Sequence, residues 1–368
     1  MKNRNIFIVV ICSLLIIQIL LYPKECINYT LLGTKLFFNS VFPSLFPFLV
    51  ISNIIIAYEG VIIYANVFGN ILCIPLRLPK ECSIALIISF LCGYPLGAKY
   101  SFELYENAVI DYKTYERLLN IASNPGPLFV VGAVGTIMLH NTYLGYLLLA
   151  SSYISCYLIS FFIPSTSNVF RNSKPIFSPV KTKNIGVILK ESVDNSISTT
   201  LYIGGFIIIF YVLTSIIKNN AIFSIVLNKS STLLGLPLGI IQGTLLGILE
   251  MTNGCFLVST SNSNILTTAC VTSFLITFSG VSVIAQVYSF TYKLKFNLKT
   301  YISYKFLQGI LSSITCFILV KLTYGNETIP IFSNLRNSSS NSILYAILSL
   351  ILIFPLIIYI TKKLLNVS

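Results

Sequence analysis

The sequence predicts an all-α polytopic membrane protein, with about eight transmembrane helices plus two re-entrant or broken helical segments in an inverted repeat. Three observations carry that prediction. Of 368 residues, 55% are hydrophobic and only 10% charged, with a mean hydropathy of +0.85, whereas a soluble domain has about a quarter of its residues charged. Eight apolar stretches reach the length needed to cross a bilayer. Two more are apolar but interrupted by glycine and proline, which straight helices exclude.

In chain order, Lys2 and Arg4 precede the apolar run Ile6 to Tyr22. It resembles a secretory signal but lacks a small-residue cleavage site before Pro23, Lys24 and Glu25, so it is read as a retained span. With its connector it occupies residues 1–35. Spanning stretches follow at Leu36 to Tyr58, Ala122 to His140 and Tyr143 to Ile163, making a first repeat over 36–163. Within it, Ser83 to Tyr100 is broken at Gly93, Tyr94, Pro95 and Gly97. The polar, basic segment Arg171 to Lys190, punctuated by Pro175 and Pro179, marks a linker over 164–196. A second, inverted repeat over 197–290 holds the spans Ile197 to Ile217 and Ile265 to Phe290. Between them, Leu233 to Ser259 is broken by Gly235, Pro237, Gly239, Gly243, Gly247 and Gly254. The spans Phe306 to Tyr324 and Ile343 to Thr361 complete the chain over 291–368. Tyr112, Tyr115, Leu118, Leu119 and Ala122 recur at helical spacing. They suit either a short amphipathic helix on the membrane surface or a packed connector.

The repeat is legible in landmarks at an offset of roughly 155 residues. Asn39 falls on Asp194, Gly93 on Ile248 beside Gly247, and Ser123-Asn124-Pro125-Gly126 on Phe278-Ser279-Gly280-Val281. With both broken stretches as hairpins and a cytoplasmic N-terminus, about 18 Lys and Arg fall on the cytoplasmic side, Lys99, Arg117 and Lys305 among them, against about 6 outside. The net charge of +13 is thus accounted for by orientation, and nucleic acid is not an expected partner. The nine cysteines lack the close spacing of zinc or thiol-redox motifs and read as small buried hydrophobes. One histidine, His140, rules out a multi-histidine metal site and leaves a Ser-His-Asp triad only there. An enzyme is not expected, nor is a cofactor.

Four constellations suit ligand chemistry. Gly93-Tyr94-Pro95-Leu96-Gly97-Ala98-Lys99 is not a phosphate-binding loop, because Ala98 separates the second glycine from the lysine and Tyr100 follows it. It is an interrupted helix whose freed amides, at Gly93, Tyr94 and Gly97, face an anion with Lys99 adding charge, unless Lys99 snorkels to the interface. Ser123-Asn124-Pro125-Gly126-Pro127 cannot be continuous helix, and Ser123, Asn124 and Gly126 offer polar atoms to a substrate. Ser279, Gly280 and Ser282, with Gln286 one turn on, offer the same in the second repeat. Glu250, followed by Thr252, Asn253 and Gly254, is the one carboxylate this topology places inside the membrane. It is costly to charge there, so it takes a partner, a proton or an ion, which makes it the coupling candidate; alternatively it only holds the hairpin in shape.

These motifs, with Phe42-Pro43-Ser44-Leu45-Phe46-Pro47-Phe48, resemble over nearly the whole chain a family of sporulation integral membrane proteins. Those proteins have nucleoside-recognition Gate domains and are distantly similar to concentrative nucleoside transporters. The resemblance implies a mother-cell protein of endospore-forming bacteria, in the outer forespore membrane, that moves dipicolinic acid toward the forespore. Dipicolinate is a flat aromatic dianion. Its carboxylates suit helix amides, Ser or Asn donors and Lys99, and its ring suits Tyr94. Glu250 repels a dianion unless it is protonated, neutralised or bound to a coupling ion. A nucleoside suits the neutral polar groups better, and a non-transporting scaffold for spore envelope assembly is the alternative of a different class. The partners implied are a small organic anion, a coupling proton or sodium ion and the lipid bilayer, with an oligomer compatible.

Overall fold

The computed structural model describes residues 2–58, 69–164 and 184–324, apart from 262, 293 and 295. Most of the expected linker and the span Ile343 to Thr361 lie outside the described residues. Fifteen helices follow in order among those described: α1 (Lys2–Leu21), α2 (Pro23–Leu36), α3 (Phe42–Ala57), α4 (Ser83–Cys92), α5 (Leu96–Glu106), α6 (Tyr112–Ile121), α7 (Leu128–Met138, π-helical), α8 (Thr142–Ile159), α9 (Ile185–Lys218), α10 (Ala221–Leu234), α11 (Leu238–Leu249), α12 (Met251–Ser259), α13 (Ile265–Phe278), α14 (Gly280–Phe290) and α15 (Leu298–Tyr324). Among the described residues, four helical stretches are long and apolar enough to cross a bilayer: α8, α9, the α13–α14 pair and α15. The chain is an all-α, multi-pass integral membrane protein.

Helix starts follow from polar caps. Asp111, Asn141, Asn184, Asn220 and Asn264 each accept a backbone N–H in the first turn of α6, α8, α9, α10 and α13. In an apolar surrounding such caps are the local means of satisfying orphan amides. The expected span Leu36 to Tyr58 is the second part of a longer helix. A π-turn at Phe37–Val41 joins α2 to α3 just before Pro43 and Pro47, which withhold amide hydrogens from the ladder.

The two glycine-broken stretches fold back as hairpins. In α11 and α12, Gly247 meets Gly254 and Gly243 meets Val258; a Cβ on Gly254 would stand 2.2 Å from the Gly247 Cα. In α4 and α5, a Cβ on Gly97 would stand 2.6 Å from the Ser89 Cβ and 2.1 Å from the Ala122 carbonyl oxygen. Small residues here set how closely the arms approach.

The structure selects one of two sequence alternatives and changes one expectation, the placement of Arg117 and Lys305 among the cytoplasmic surface charges. Helix α6 is a packed connector: Tyr115, Leu118 and Leu119 are buried, so it does not lie on the membrane surface. Arg117, counted above as a cytoplasmic surface charge, is buried and donates to the carbonyls of Leu76, Ser160, Ile163 and Pro164. Three of these follow α8, where carbonyls have no helical partner. Lys305, counted likewise, is fully buried. It belongs to α15, which begins at Leu298, ahead of the expected Phe306.

Helix α15 is amphipathic in the reverse sense of a soluble helix. Tyr301, Lys305, Gln308 and Ser312 recur at steps of four and three residues and are all buried. Ile302, Phe306, Ile310, Ile314 and Phe317 face outward. Lipid tolerates the apolar face, while the polar face must be hydrogen-bonded within the bundle.

Candidate functional site

Four interruptions in helices converge. The first is the Gly93–Pro95 turn between α4 and α5, where Gly93 has φ +83°. The second is the Ala122–Pro127 break between α6 and α7. They lie against each other: Tyr94 N donates to Asn124 O at 2.8 Å, and a Cβ on Gly93 would stand 2.4 Å from Gly126 N. The third and fourth are Glu250, between α11 and α12, and Ser279–Gly280, between α13 and α14. A Cβ on Gly280 would stand 3.1 Å from Gly247 O and 3.2 Å from Met251 N. Each hairpin turn therefore packs on the break of the helix that follows it.

Tyr94 ties the two pairs together. Its hydroxyl donates to Ile276 O at 2.9 Å and lies 2.7 Å from Met251 Sδ. Between the pairs is a cavity of about 30 Å³, room for a water-sized group. Its apolar wall comes from Val41, Leu45, Phe129, Ile203, Ile207 and Val283, and its polar wall from Glu250, Thr252, Ser282 and Gln286. The hydroxyl of Ser282 is buried without a hydrogen-bond partner among the described residues, whereas buried hydroxyls are ordinarily satisfied.

Glu250 has a definite local role. With φ −139° and ψ 109° it is the N-cap of α12; Oε1 accepts from Thr252 N at 3.0 Å and Oε2 from Asn253 N at 2.6 Å. The positive end of α12 is thus already occupied by a carboxylate of the chain itself. Ser282, by contrast, stands in the first turn of α14, whose N-cap Ser279 makes no side-chain cap bond.

Of the residues singled out from sequence, Tyr94, Gly126, Glu250, Thr252, Ser282 and Gln286 line the cavity. Gly93, Gly97, Gly254 and Gly280 permit the close packing just described. Ser279 adopts φ +73° at its break, and its hydroxyl bonds Phe278 O. Asn253 Nδ2 donates to Thr214 Oγ1 at 2.9 Å on α9.

Ser123 and Asn124 turn away from the cavity. Ser123 Oγ pairs with Tyr301 OH at 2.7 Å, and Asn124 bonds Ile121 O, Ser89 Oγ and Gln308 Nε2. Lys99 is not brought to the cavity either. Its side chain is 39% exposed, 3.9 Å from Glu103 Oε1 one turn along α5, which matches the snorkelling alternative. His140 is exposed in the turn between α7 and α8.

Sequence reasoning missed the apolar wall, supplied by helices distant in sequence, and the polar stripe of α15. Period 3.6 among polar residues within an apolar helix is the signal that finds that stripe.

Fold and cavity together define a polytopic all-α membrane protein built around interrupted helices. No protein-family model matches the chain, and no solved structure matches it. The chain is similar to the sporulation integral membrane protein YlbJ of Bacillus subtilis (strain 168), with 28% identity over 346 residues, 87% of this chain and 85% of that protein. The resemblance drawn from the motifs is therefore upheld for that protein. Its Gate-domain and nucleoside-transporter parts are taken up next as proposals.

Proposed function

We propose that the chain acts in sporulation as a membrane transporter, moving dipicolinate across the outer forespore membrane by alternating access. The observation that carries transport is the meeting of four helix breaks around a small cavity lined by a buried carboxylate and the unpartnered hydroxyl of Ser282. Irregular backbone at membrane depth is tolerated where it is buried in protein or lines a cavity, and paired discontinuous helices between repeats are the usual setting of a transport site. The contacts of turn on break, Gly93 with Gly126 and residues 247–251 with Gly280, recur near the offset read from sequence and support the inverted repeat. Sporulation and dipicolinate rest on the similarity to YlbJ and on the motif resemblance.

A planar dicarboxylate is too large for about 30 Å³, so entry requires the hairpins to part from the breaks they cover. One carboxylate then meets the first turn of α14 and Ser282. The amides of α12 are unavailable while Glu250 caps them. Glu250 lies on the cavity wall, so a dianion enters with its charge offset by a proton or cation, which makes Glu250 the coupling group.

A second reading, nucleoside transport, is favoured by one specific observation: among the described residues no cationic side chain lines the cavity. Flux of dipicolinate and of uridine into vesicles containing only the purified chain tests both. Dipicolinate flux supports the first reading and uridine flux the second. Flux of neither favours a scaffold.

A further inference from the structure

Among the described residues Lys305 has no part in the cavity and no carboxylate partner. It is fully buried within a membrane-spanning helix, where an uncompensated ammonium is costly. Its Nζ donates to Ser123 O at 2.6 Å and to Gln308 Oε1 at 2.9 Å. A neutral amine can still donate to both acceptors, but with the proton on the same two contacts are charge-assisted and roughly twice as strong, so the grip weakens when the proton leaves. The site therefore accommodates Lys305 with or without its proton.

What Lys305 holds is the Ala122–Pro127 break, the first of the two breaks on which a hairpin turn packs, Ser279–Gly280 being the second. Ser123 O is its direct partner, and Gln308 passes the contact on to Asn124 Oδ1 at 3.1 Å. Asn124 O accepts from Tyr94 N, and Tyr94 lines the cavity. Further along the same stripe, Ser312 Oγ pairs with Ser273 Oγ at 2.8 Å and accepts from Thr277 Oγ1 at 2.9 Å, just ahead of the second break. One helix thus grips one break by a lysine and stands beside the other by hydroxyls.

We propose that Lys305 is a proton-binding positioning residue of the transport cycle, its ammonium fixing α15 to the first break and its neutral amine loosening that grip. Loss of the proton converts –NH₃⁺ to –NH₂ and delivers H⁺ to solvent on the side to which the opened site faces. By linkage, an anion that enters favours the protonated lysine, and protonation favours anion entry by the same factor. The transport half of this proposal rests on the function proposed above; the pH-dependent grip does not.

The groups facing Lys305 from its surroundings are few. Tyr301 lies one turn back on α15, with Tyr115 of α6 beside it, and Cys156 faces it from α8. Helix α13 presents Ser273 and Thr277, which do not titrate in the working range. Cys156→Ala and Glu250→Gln are therefore the controls that separate Lys305 from neighbouring titrations.

The experiment uses the full chain in lipid vesicles with its cysteines left in place. Spin labels on unnatural amino acids replace Leu128, just past the break, and Ile302 on α15, both partly exposed. The distance between them is measured from pH 5 to 10. The expected result is a pH-dependent shift in wild type that persists in Cys156→Ala and Glu250→Gln and is lost in Lys305→Met. Lys305→Arg, which stays charged, holds the low-pH distance throughout and decides the matter if Lys305→Met does not fold. A wild-type distance independent of pH, or a shift that survives in Lys305→Met or Lys305→Arg, overturns the proposal.

In the same vesicles, dipicolinate exchange is expected to persist in Lys305→Arg, while accumulation driven by a pH gradient is lost. Gradient-driven accumulation by that variant overturns the coupling role. If wild type shows the distance shift but exchanges no dipicolinate, the transport reading falls and the titrating lysine stands.

Discussion

Replacing Glu250 separates a capping carboxylate from a working one, because the structure says what each substitution removes. In Glu250→Ala, the amides of Thr252 and Asn253 both lose their acceptor inside a buried turn, at about 1–3 kcal/mol each, so about 2–6 kcal/mol altogether. Glu250→Gln keeps one side-chain carbonyl oxygen and leaves one amide unpaired, a loss of about 1–3 kcal/mol. Glu250→Ser supplies an ordinary N-cap oxygen and belongs near the Gln variant, within about 1 kcal/mol. The expected order of thermal stability in detergent is therefore wild type, then Gln and Ser together, then Ala. For transport, both Gln and Ser variants reach the membrane folded but show a changed pH dependence of dipicolinate uptake, because neither has a carboxyl to protonate and only the Lys305 titration remains. The assay is melting of the purified variants alongside uptake across a range of external pH. An Ala variant as stable as wild type would refute the capping argument, and unchanged pH dependence in a stable Gln variant would remove the carboxylate from the transport cycle.

Other expectations follow from packing. Gly93→Ala combines a left-handed residue with a Cβ 2.4 Å from Gly126 N, a cost of about 2–5 kcal/mol from strain and overpacking. Gly205→Ala on α9, with nothing within 4 Å of its Cβ, gains up to about 1 kcal/mol; equal melting temperatures for the two contradict the close-approach argument. Arg117→Ala leaves buried carbonyls after α8 without a donor and lowers stability by about 1–3 kcal/mol for each that water does not reach, with Arg117→Lys recovering part of it in the same melts. Lys99→Gln leaves dipicolinate affinity unchanged by calorimetry, since the lysine is half-exposed; a tenfold loss (about 1.4 kcal/mol) would return it to the site. Labels at position 181 react only from the cytoplasmic side in oriented vesicles if the charge asymmetry sets orientation, and external labelling reverses the topology.

The interruptions were legible because their causes are local. Gly93 and Pro95, the Pro125-Gly126-Pro127 run, and Ser279-Gly280 all weaken a helix through their own backbone chemistry, and Glu250 stands out as a carboxylate in an apolar run. Direction was not legible. Ser123 and Asn124 sit on a break beside the cavity, yet their side chains turn toward α15, because Tyr301 and Gln308 are there to receive them. The two lysines make the same point. Lys99 and Lys305 each follow an apolar neighbourhood, and hydropathy gives both the role of an interfacial charge. Only the third dimension separates the one that reaches the surface beside Glu103 from the one enclosed by Ser123 and Gln308. The spacing of Tyr301, Lys305, Gln308 and Ser312 held that distinction, once polar residues rather than apolar ones are tested for helical period.

The inward-facing polarity of α15 also bears on how the chain is made. A lysine and a glutamine lower the tendency of a segment to leave the insertion machinery for lipid unaided, by about 2.5–3.5 kcal/mol for a lysine at the centre of a span. The receiving groups, Ser123 and Asn124 with Ser273 and Thr277, are all synthesised before Lys305 emerges. Membrane integration of α15 is thereby conditional on earlier helices being assembled beside it. A ribosome-bound chain in which the Ala122–Pro127 break is disrupted retains its earlier spans but fails to settle this one, so assembly of the bundle has a built-in order, with this helix among the later arrivals.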